Sequence, residues 1–182
     1  MTARIKLLRT IRLDPSDTFI FERAAEPGEW AVPGGFAFFH VDAAALEGKA
    51  RVAFRSGFLG VDSLGWSTLV QIVEAGEQDR AAAIDLLAER LVARFGAPDL
   101  ATARRAAAEE FDFAASLTDH PPDTLVAMHR VYADGAIRET FRTLKPRGGP
   151  KPLRAFAFLE VEGDEPVDEQ LDLAALASRK ET

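Results

Sequence analysis

The chain has 182 residues, of which 47% are hydrophobic and 28% are charged. This balance is typical of a globular protein and excludes the disordered and fibrous classes, and the length favours a single domain. Cysteine is absent, which excludes disulfides, thiolate nucleophiles and metal sites built on cysteine. The 29 acidic residues outnumber the 22 basic ones and give a net charge of -7, which opposes sequence-independent binding to nucleic acid.

The sequence also bears on where the protein works. No stretch approaches the ~20 apolar residues that a membrane-spanning helix requires. The first residues, MTARIKLLRTIRLD, interrupt their apolar positions with Arg9 and Arg12, a pattern that differs from a signal peptide. We therefore expect a cytoplasmic protein without a membrane partner.

The first 75 residues are predicted to be rich in strands. Residues 5–13 alternate apolar and polar side chains, as a strand with one buried side does. Turn-forming residues at 14–17 separate it from a second strand that would pair back on the first as a hairpin. Asp42 is expected to cap a single helical turn. In addition to the first strand, the pattern predicts strands over residues 18–23, 36–41, 51–55 and 68–74.

Two helices are predicted next. Apolar residues recur every three or four positions between residues 77 and 95, and Gly96 and Pro98 end that run. A second helix is expected over residues 98–118, with an apolar stripe of Leu100, Ala103, Ala107, Phe111 and Ala114. Three acidic residues of this helix are expected to be solvated because they are interpreted as lying outside the stripe: Glu109, Glu110 and Asp112.

The clearest local signal is Asp134-Gly135, which lies between two alternating segments and suits a type I′ hairpin turn. Pairing Ala133 with Ala136 fixes the register of the two strands. One face is then mainly apolar with one ion pair, and consists of the opposed pairs Tyr132–Ile137, Arg130–Glu139, Met128–Phe141 and Val126–Thr143. The other face is mixed and cationic, with Leu125, Ala127, His129 and Val131 opposite Leu144, Arg142, Thr140 and Arg138.

After a predicted loop at residues 145–152, residues 154–162 are expected to form a last strand and residues 167–180 a short helix. Strands come first, then two helices, then strands again. This order predicts an α+β fold, a mostly antiparallel sheet with the pair of helices packed on one face. We expect one domain over residues 1–165 and an acidic C-terminal helix or tail over residues 166–182.

Several catalytic motifs can be compared with the sequence and rejected. Residues 28–61 look like the opening of a Nudix hydrolase, a family that holds magnesium with the glutamates of an Arg-Glu-x-x-Glu-Glu helix. The corresponding residues 51–57 read RVAFRSG and contain none of these glutamates, so Pro33-Gly34-Gly35 is interpreted as a turn. No nucleotide-binding glycine loop and no GxSxG elbow is present either.

The three histidines give no metal signature. His40 ends an apolar segment and is expected to be a partly buried structural residue. His120, close to Asp119 and Asp123, could orient a metal or a substrate, but the same residues also simply make turns, and the spacing to His129 is not a known ligand pattern. We predict no metal site and no cofactor.

The candidate site is the cationic side of the predicted hairpin. If the apolar face packs on the helices, His129 would share the opposite face with Arg138, Thr140 and Arg142, where they could bind a carboxylate or phosphate. Such residues could instead serve solubility on an open sheet face. A third alternative is a homodimer that packs two such sheets together through Leu125, Val131 and Leu144.

The segment IKLLRTIRLDPSDTFIFERAAEPGEWAVPGGFAF, residues 5–38, resembles an uncharacterised family of proteobacterial proteins of about this length. The resemblance implies no known activity. Because no metal, nucleotide or nucleophile constellation is found, the sequence favours a non-catalytic accessory or small-ligand-binding protein, with a homodimer or another protein as partner. The alternative is an enzyme acting on an anionic small molecule, with His129 as acid/base and Arg138 and Arg142 as an anion clamp.

Overall fold

A computed structural model describes residues 4–146, 159–161 and 167–172. The strands within these ranges are β1 (Ile5–Ile11), β2 (Trp30–Val32), β3 (Phe58–Gly60), β4 (Trp66–Ser67), β5 (Leu69–Ala75), β6 (Leu125–Ala133), β7 (Ala136–Pro146), β8 (Leu159–Val161) and β9 (Val167–Asp172). The helices are α1 (Ser16–Ile20), α2 (Gly48–Ser56), α3 (Glu77–Arg94) and α4 (Leu100–Ser116), and two 3-10 turns cover Gly35–Phe38 and Ala43–Ala45.

The strands form one sheet in the order β4-β3-β2-β1-β5-β6-β7-β8, and β9 also pairs with β7. Every pairing between these strands is antiparallel. The chain therefore has the predicted α+β fold.

The sheet curls strongly. In a flat sheet, five steps of about 4.8 Å would place β3 roughly 24 Å from β7. The ring of Phe58 on β3 nevertheless lies 6.1 Å from the ring of Phe141 on β7. The face that carries these two side chains is therefore the inner face of the curled sheet.

The two long helices confirm the periodicity argument. The Asp99 carboxylate accepts a hydrogen bond from the Thr102 amide at 2.7 Å and so caps the start of α4. Gly96, with a φ of 73°, follows the end of α3. α4 contacts β1 and β2 and packs against α3, and the buried alanines of both helices, such as Ala88 and Ala107, allow this close approach.

Three predicted strands are wrong. Residues 18–23 are expected to be extended, but α1 covers residues 18–20, and the Asp17 carboxylate in this helix accepts hydrogen bonds from the amide and the hydroxyl of Thr68. Residues 36–41 contain a 3-10 turn whose Phe38 ring packs on Phe54 and Trp66. Residues 51–55 belong to α2, which buries Ala53 and Phe54 on one side.

The sequence predicts that only one side of the first strand is buried, but β1 is buried on both sides. Leu7 and Leu8 are both fully buried, and Thr10 is buried as well. Because consecutive side chains of a strand point to opposite faces, both faces of the sheet are covered at this point. The short strand β2 pairs with β1 and has no counterpart in the sequence prediction.

The C-terminal prediction is partly wrong. A helix is predicted over residues 167–180, whereas Val167–Asp172 forms β9 and pairs with β7. Residues 173–180 lie outside the described residues. The predicted strand over residues 154–162 is confirmed for Leu159–Val161, and the boundary between residues 165 and 166 stays a prediction.

Candidate functional site

The β6–β7 hairpin has the predicted register. Its pairs run from Ala133–Ala136 beside the turn to Leu125–Leu144 at the far end. Asp134 and Gly135 have φ values of 54° and 79°, as a type I′ turn requires. The mainly apolar face points inward, since Val126, Met128, Ile137 and Phe141 are buried.

The opposite face of the hairpin is exposed along its middle, whereas Leu125 at the end far from the turn is buried. His129, Val131, Arg138 and Arg142 are exposed and Thr140 is half-buried. The register places His129 opposite Thr140, Arg138 opposite Val131 and Arg142 opposite Ala127. The four predicted site residues therefore lie on one face, and we call His129, Arg138, Thr140 and Arg142 the cationic face.

Few interactions constrain the cationic face. The Nη2 atom of Arg138 lies 3.6 Å from Oδ2 of Asp134, an exposed ion pair. Among the residues that the structure describes, none hydrogen-bonds to the His129 side chain. Leu125 is only 3% exposed, so this residue is not available as the dimer contact that the sequence predicts, whereas Val131 is.

The structure also places the other two histidines, His40 and His120. His40 is exposed and not partly buried as expected, because the strand that would have carried it inward does not form. The carbonyl oxygen of His120 accepts a hydrogen bond from Lys6 Nζ at 2.8 Å, and Asp123 accepts one from Gln71. No group of three or more metal-ligating side chains occurs within the described ranges.

A second, unexpected cluster lies on the inner face of the same hairpin. Arg130 on β6 and Glu139 on β7 are both 0% exposed, and Nε of Arg130 lies 3.3 Å from Oε1 of Glu139. The sequence predicts this cross-strand ion pair but not its complete burial. The sequence did contain a signal for this burial. Arg130 and Glu139 lie on the same face of the hairpin as Met128 and Phe141, which are buried.

Arg130 connects the hairpin to two other segments. Its Nη1 atom donates to the carbonyl oxygens of Phe54 at 2.8 Å and Gly57 at 3.5 Å, where α2 ends. Its Nη2 atom donates to the Pro33 carbonyl oxygen at 2.7 Å. The guanidinium carbon also lies 5.3 Å from the ring of Phe38 and 5.9 Å from the ring of Phe54, so aromatic faces replace part of the lost water.

Glu110 on α4 joins this cluster. Its Oε1 atom accepts a hydrogen bond from the Gly34 amide at 3.1 Å, so the expectation that Glu110 is solvated is wrong. The helical spacing indicates that Glu110 lies on the buried face of α4. It is three residues after Ala107 and four before Ala114, and both alanines are buried. Asp112 is mostly exposed and pairs with Arg80.

Pro33 and Gly34 are held between these charged groups. Arg130 donates to the carbonyl of Pro33 and Glu110 accepts from the amide of Gly34, and these two atoms belong to one peptide group. Pro33, Gly34 and Gly35 are buried. They therefore form a buried connection from β2 to the first 3-10 turn rather than a surface turn.

Burial dominates the electrostatics of the cluster. Glu110 as a residue is half-buried, but its carboxyl group is enclosed, and loss of water raises its pKa to about 7, against the opposing effect of the Gly34 hydrogen bond. Glu139 adds to this rise and Arg130 opposes it. Burial likewise raises the pKa of Glu139, while Arg130 acts against the rise.

One buried carboxylate oxygen of the cluster lacks a hydrogen-bond partner among the described residues. Oε2 of Glu139 is buried and makes no hydrogen bond to the described residues. Buried polar atoms are nearly always hydrogen-bonded, so such an atom requires an explanation. Through its hydrogen bonds the cluster ties β6, β7, α2, α4 and the 33–34 peptide group together.

These features define the class of protein: an α+β chain with a curled antiparallel sheet, an open cationic face and a buried cluster of one arginine and two glutamates. Residues 5–161 match the family described as "Family of unknown function (DUF6505)", and the chain belongs to this family. The expectation of a family without known activity is thus confirmed. No curated protein and no solved structure matches the chain.

Within the part of the chain that the structure describes, no helix combines the length and the apolar character that crossing a bilayer requires.

Proposed function

We propose that this protein binds an anionic small molecule on the cationic face and that it does so without catalysing a reaction. The observation that supports the proposal is the shared exposure of His129, Arg138 and Arg142 on one side of a hairpin whose other side is buried. Arginine suits this role because its planar guanidinium can form two parallel hydrogen bonds to a carboxylate or phosphate.

The spacing along β7 favours a ligand with more than one anionic group. Arg138, Thr140 and Arg142 follow each other at two-residue steps, so the Cα atoms of the two arginines are about 13–14 Å apart. The His129–Thr140 pair lies between them. A diphosphate or a dicarboxylate could contact both guanidiniums and accept a hydrogen bond from the hydroxyl of Thr140.

Local charge also supports anion binding. The chain has a net charge of -7, yet none of the ten positions on this face of the paired residues 125–133 and 136–144 holds a carboxylate. They are Leu125, Ala127, His129, Val131, Ala133, Ala136, Arg138, Thr140, Arg142 and Leu144. Two acidic residues border this face at Arg138, since Asp134 pairs with its guanidinium and Asp172 of β9 is its register partner. Arg142 makes no ion pair with the described residues, so it provides the stronger short-range attraction for an anion.

The open setting favours binding over catalysis. General acid–base and electrostatic catalysis gain most where water is excluded around the reacting groups. His129 is exposed on the sheet surface, which favours the binding role over the alternative role as an acid/base. We retain a cytoplasmic location and a homodimer or other protein partner as predictions.

Thermal unfolding in the presence of inorganic phosphate, pyrophosphate, succinate and citrate tests the proposal. At 100 times its dissociation constant a ligand adds about 2.7 kcal/mol, which raises the Tm of a chain of this size by roughly 5–10 °C. We expect at least one of the anions with two or more charges to give such a shift, and we expect the double variant Arg138→Ala/Arg142→Ala to lose it.

The matched control is Arg94→Ala/Arg105→Ala, which removes the same charge from exposed positions on α3 and α4. It should keep the full shift. Equal loss in both double variants would show that only net charge matters, and the absence of a shift with all four anions would contradict binding at this face.

A further inference from the structure

We propose that Glu110 and Glu139 share one proton in the closed structure, and that release of this proton opens residues 33–38, which we call the 33–38 segment. The proposal concerns the inner face of the hairpin and does not depend on anion binding at the cationic face. It assigns a proton-controlled conformational change to the cluster of Arg130, Glu139 and Glu110.

The geometry connects the two carboxyl groups to the 33–38 segment. The segment is bonded to Glu110 through the Gly34 amide and to Arg130 through the Pro33 carbonyl. Its last residue, Phe38, places its ring over the guanidinium of Arg130. Any change in the charge of the cluster therefore acts directly on the backbone and the aromatic side chain of this segment.

The count of charges and hydrogen bonds favours one shared proton. With both glutamates ionised, the enclosed cluster would have two negative charges against the single positive charge of Arg130. Oε2 of Glu139 would also remain buried without a donor. A proton on one of the carboxyl groups balances the charge and reduces the cost of burying the cluster.

The groups that face Glu110 come from three elements. Arg130 on β6 and Glu139 on β7 act on its carboxyl group through their charges, and Gly34 after β2 acts through its amide. Its neighbours on α4 are directed differently, since Glu109 is exposed and Asp112 pairs with Arg80 of α3. The pH response of Glu110 is thus set mainly by burial, Glu139 and Arg130.

The sign of the pH effect follows from the pKa of Glu110 in the two states. In the closed structure it is raised to about 7 from an ordinary value of 4.5, and opening the 33–38 segment would return the carboxyl group to water. The closed form binds the proton more tightly, so it is favoured at low pH. The preference for the closed form weakens as the pH rises from about 4.5 to 7. The pKa of Glu110 differs by 2.5 units between the closed and the open form, so the equilibrium constant for opening increases by about 300-fold over this range.

Amide hydrogen exchange between pH 5 and 8.5 tests this inference. The informative amides are those of Gly34, Ala37 and Phe39, which donate to Glu110, Gly34 and Phe36. After correction for the intrinsic exchange rate, their protection should fall by up to tenfold per pH unit below pH 7 and level off above it. Amides in the middle of α3 serve as the internal reference and should show no such trend.

Two variants separate the proposed role from a general effect of charge. Glu110→Gln keeps an oxygen that can accept from Gly34 but cannot ionise, so it should abolish the pH dependence. Glu109→Gln, one residue away and exposed, should preserve it. Constant protection of the three amides in the unmodified chain, or an unchanged trend in Glu110→Gln, would overturn the proposal.

A direct titration covers the case in which Glu110→Gln does not fold. Carboxyl carbon chemical shifts of the unmodified chain report the protonation of Glu110 itself. A midpoint near neutral pH, with a simultaneous shift of Glu139, supports the shared proton. A midpoint near 4.5, the ordinary value for a glutamate, refutes it.

Discussion

Arg130 is the residue on which most of the inner contacts depend. Its guanidinium makes hydrogen bonds to Glu139 and to three backbone carbonyls while being completely buried. A buried ion pair is a poor guide to stability, because the cost of desolvation can exceed the attraction between the charges. Its value here is that one side chain fixes the relative positions of β6, the end of α2 and the 33–38 segment.

We predict that Arg130→Met destabilises the protein by about 3–5 kcal/mol, because it leaves the Glu139 carboxylate buried without its cation. Urea unfolding at pH 8 measures this loss. Arg130→Lys should lose most of the same stability, since an ammonium group cannot reproduce the fork of guanidinium donors.

The double variant Arg130→Met/Glu139→Met provides the control. It removes both charges, so it should recover a substantial part of the loss and show a coupling energy between the two sites. A loss below about 1 kcal/mol for Arg130→Met alone would contradict a central role for this residue, given the usual size of such effects.

At the scale of elements, the β6–β7 hairpin and the 33–38 segment both use a glycine in the left-handed region. Gly135 and Gly34 have the same φ of 79°. Their surroundings differ, because a methyl group on Gly135 would meet no atom within 4 Å, whereas one on Gly34 would lie 2.6 Å from the Cβ atom of Leu59. Alanine substitution at each glycine therefore distinguishes two costs. The backbone strain is common to both positions, and the steric crowding arises only at Gly34.

We predict that Gly135→Ala costs about 1–2 kcal/mol, the backbone penalty alone. Gly34→Ala should cost a further 1–3 kcal/mol or so, the usual effect of overpacking a filled interior. Equilibrium unfolding of the two variants under identical conditions gives the difference. Equal losses would mean that the 33–38 segment moves away from β3 without cost.

At the scale of the whole molecule, β9 makes part of the C-terminal region a member of the sheet. It pairs with Arg138, Glu139 and Phe141 of β7. Glu139 and Phe141 are among the most deeply buried side chains that the structure describes. The edge of β7 behind the Arg130 cluster is thus covered by a strand from residues 166–182, which the sequence predicts to be a helix or tail.

We expect a chain that ends at residue 165 to be less stable than the full chain, because the backbone groups of β7 at this edge lose their strand partner. In a protein of this size, each 1 kcal/mol lost lowers the Tm by roughly 2–4 °C, which thermal unfolding detects. A chain that ends at residue 172 keeps β9 and isolates its effect. If the Tm of the shorter chain equals that of the full chain, β9 does not contribute to stability.

Elements with local causes could be predicted from the sequence. The Asp134-Gly135 turn determines the register of β6 and β7 through the φ values of two residues, and all nine predicted and observed pairs agree. α3 and α4 follow from apolar spacing and from stop signals that lie within a few residues of their ends. The membership of the cationic face follows from the same register, since the alternation of side chains is a property of the strand itself.

The remaining features depend on contacts between distant parts of the chain. Residues 36–41 are apolar enough for a strand, but Phe38 packs on Phe54 and Trp66 and the segment forms a 3-10 turn. Glu110 becomes part of the inner cluster only because Gly34 approaches α4 from a position 76 residues away. The sequence alone determined the hairpin, the two long helices and the α+β class, because their energetics are local. Only the tertiary structure decided which charges are buried, because desolvation depends on what the rest of the chain places around them.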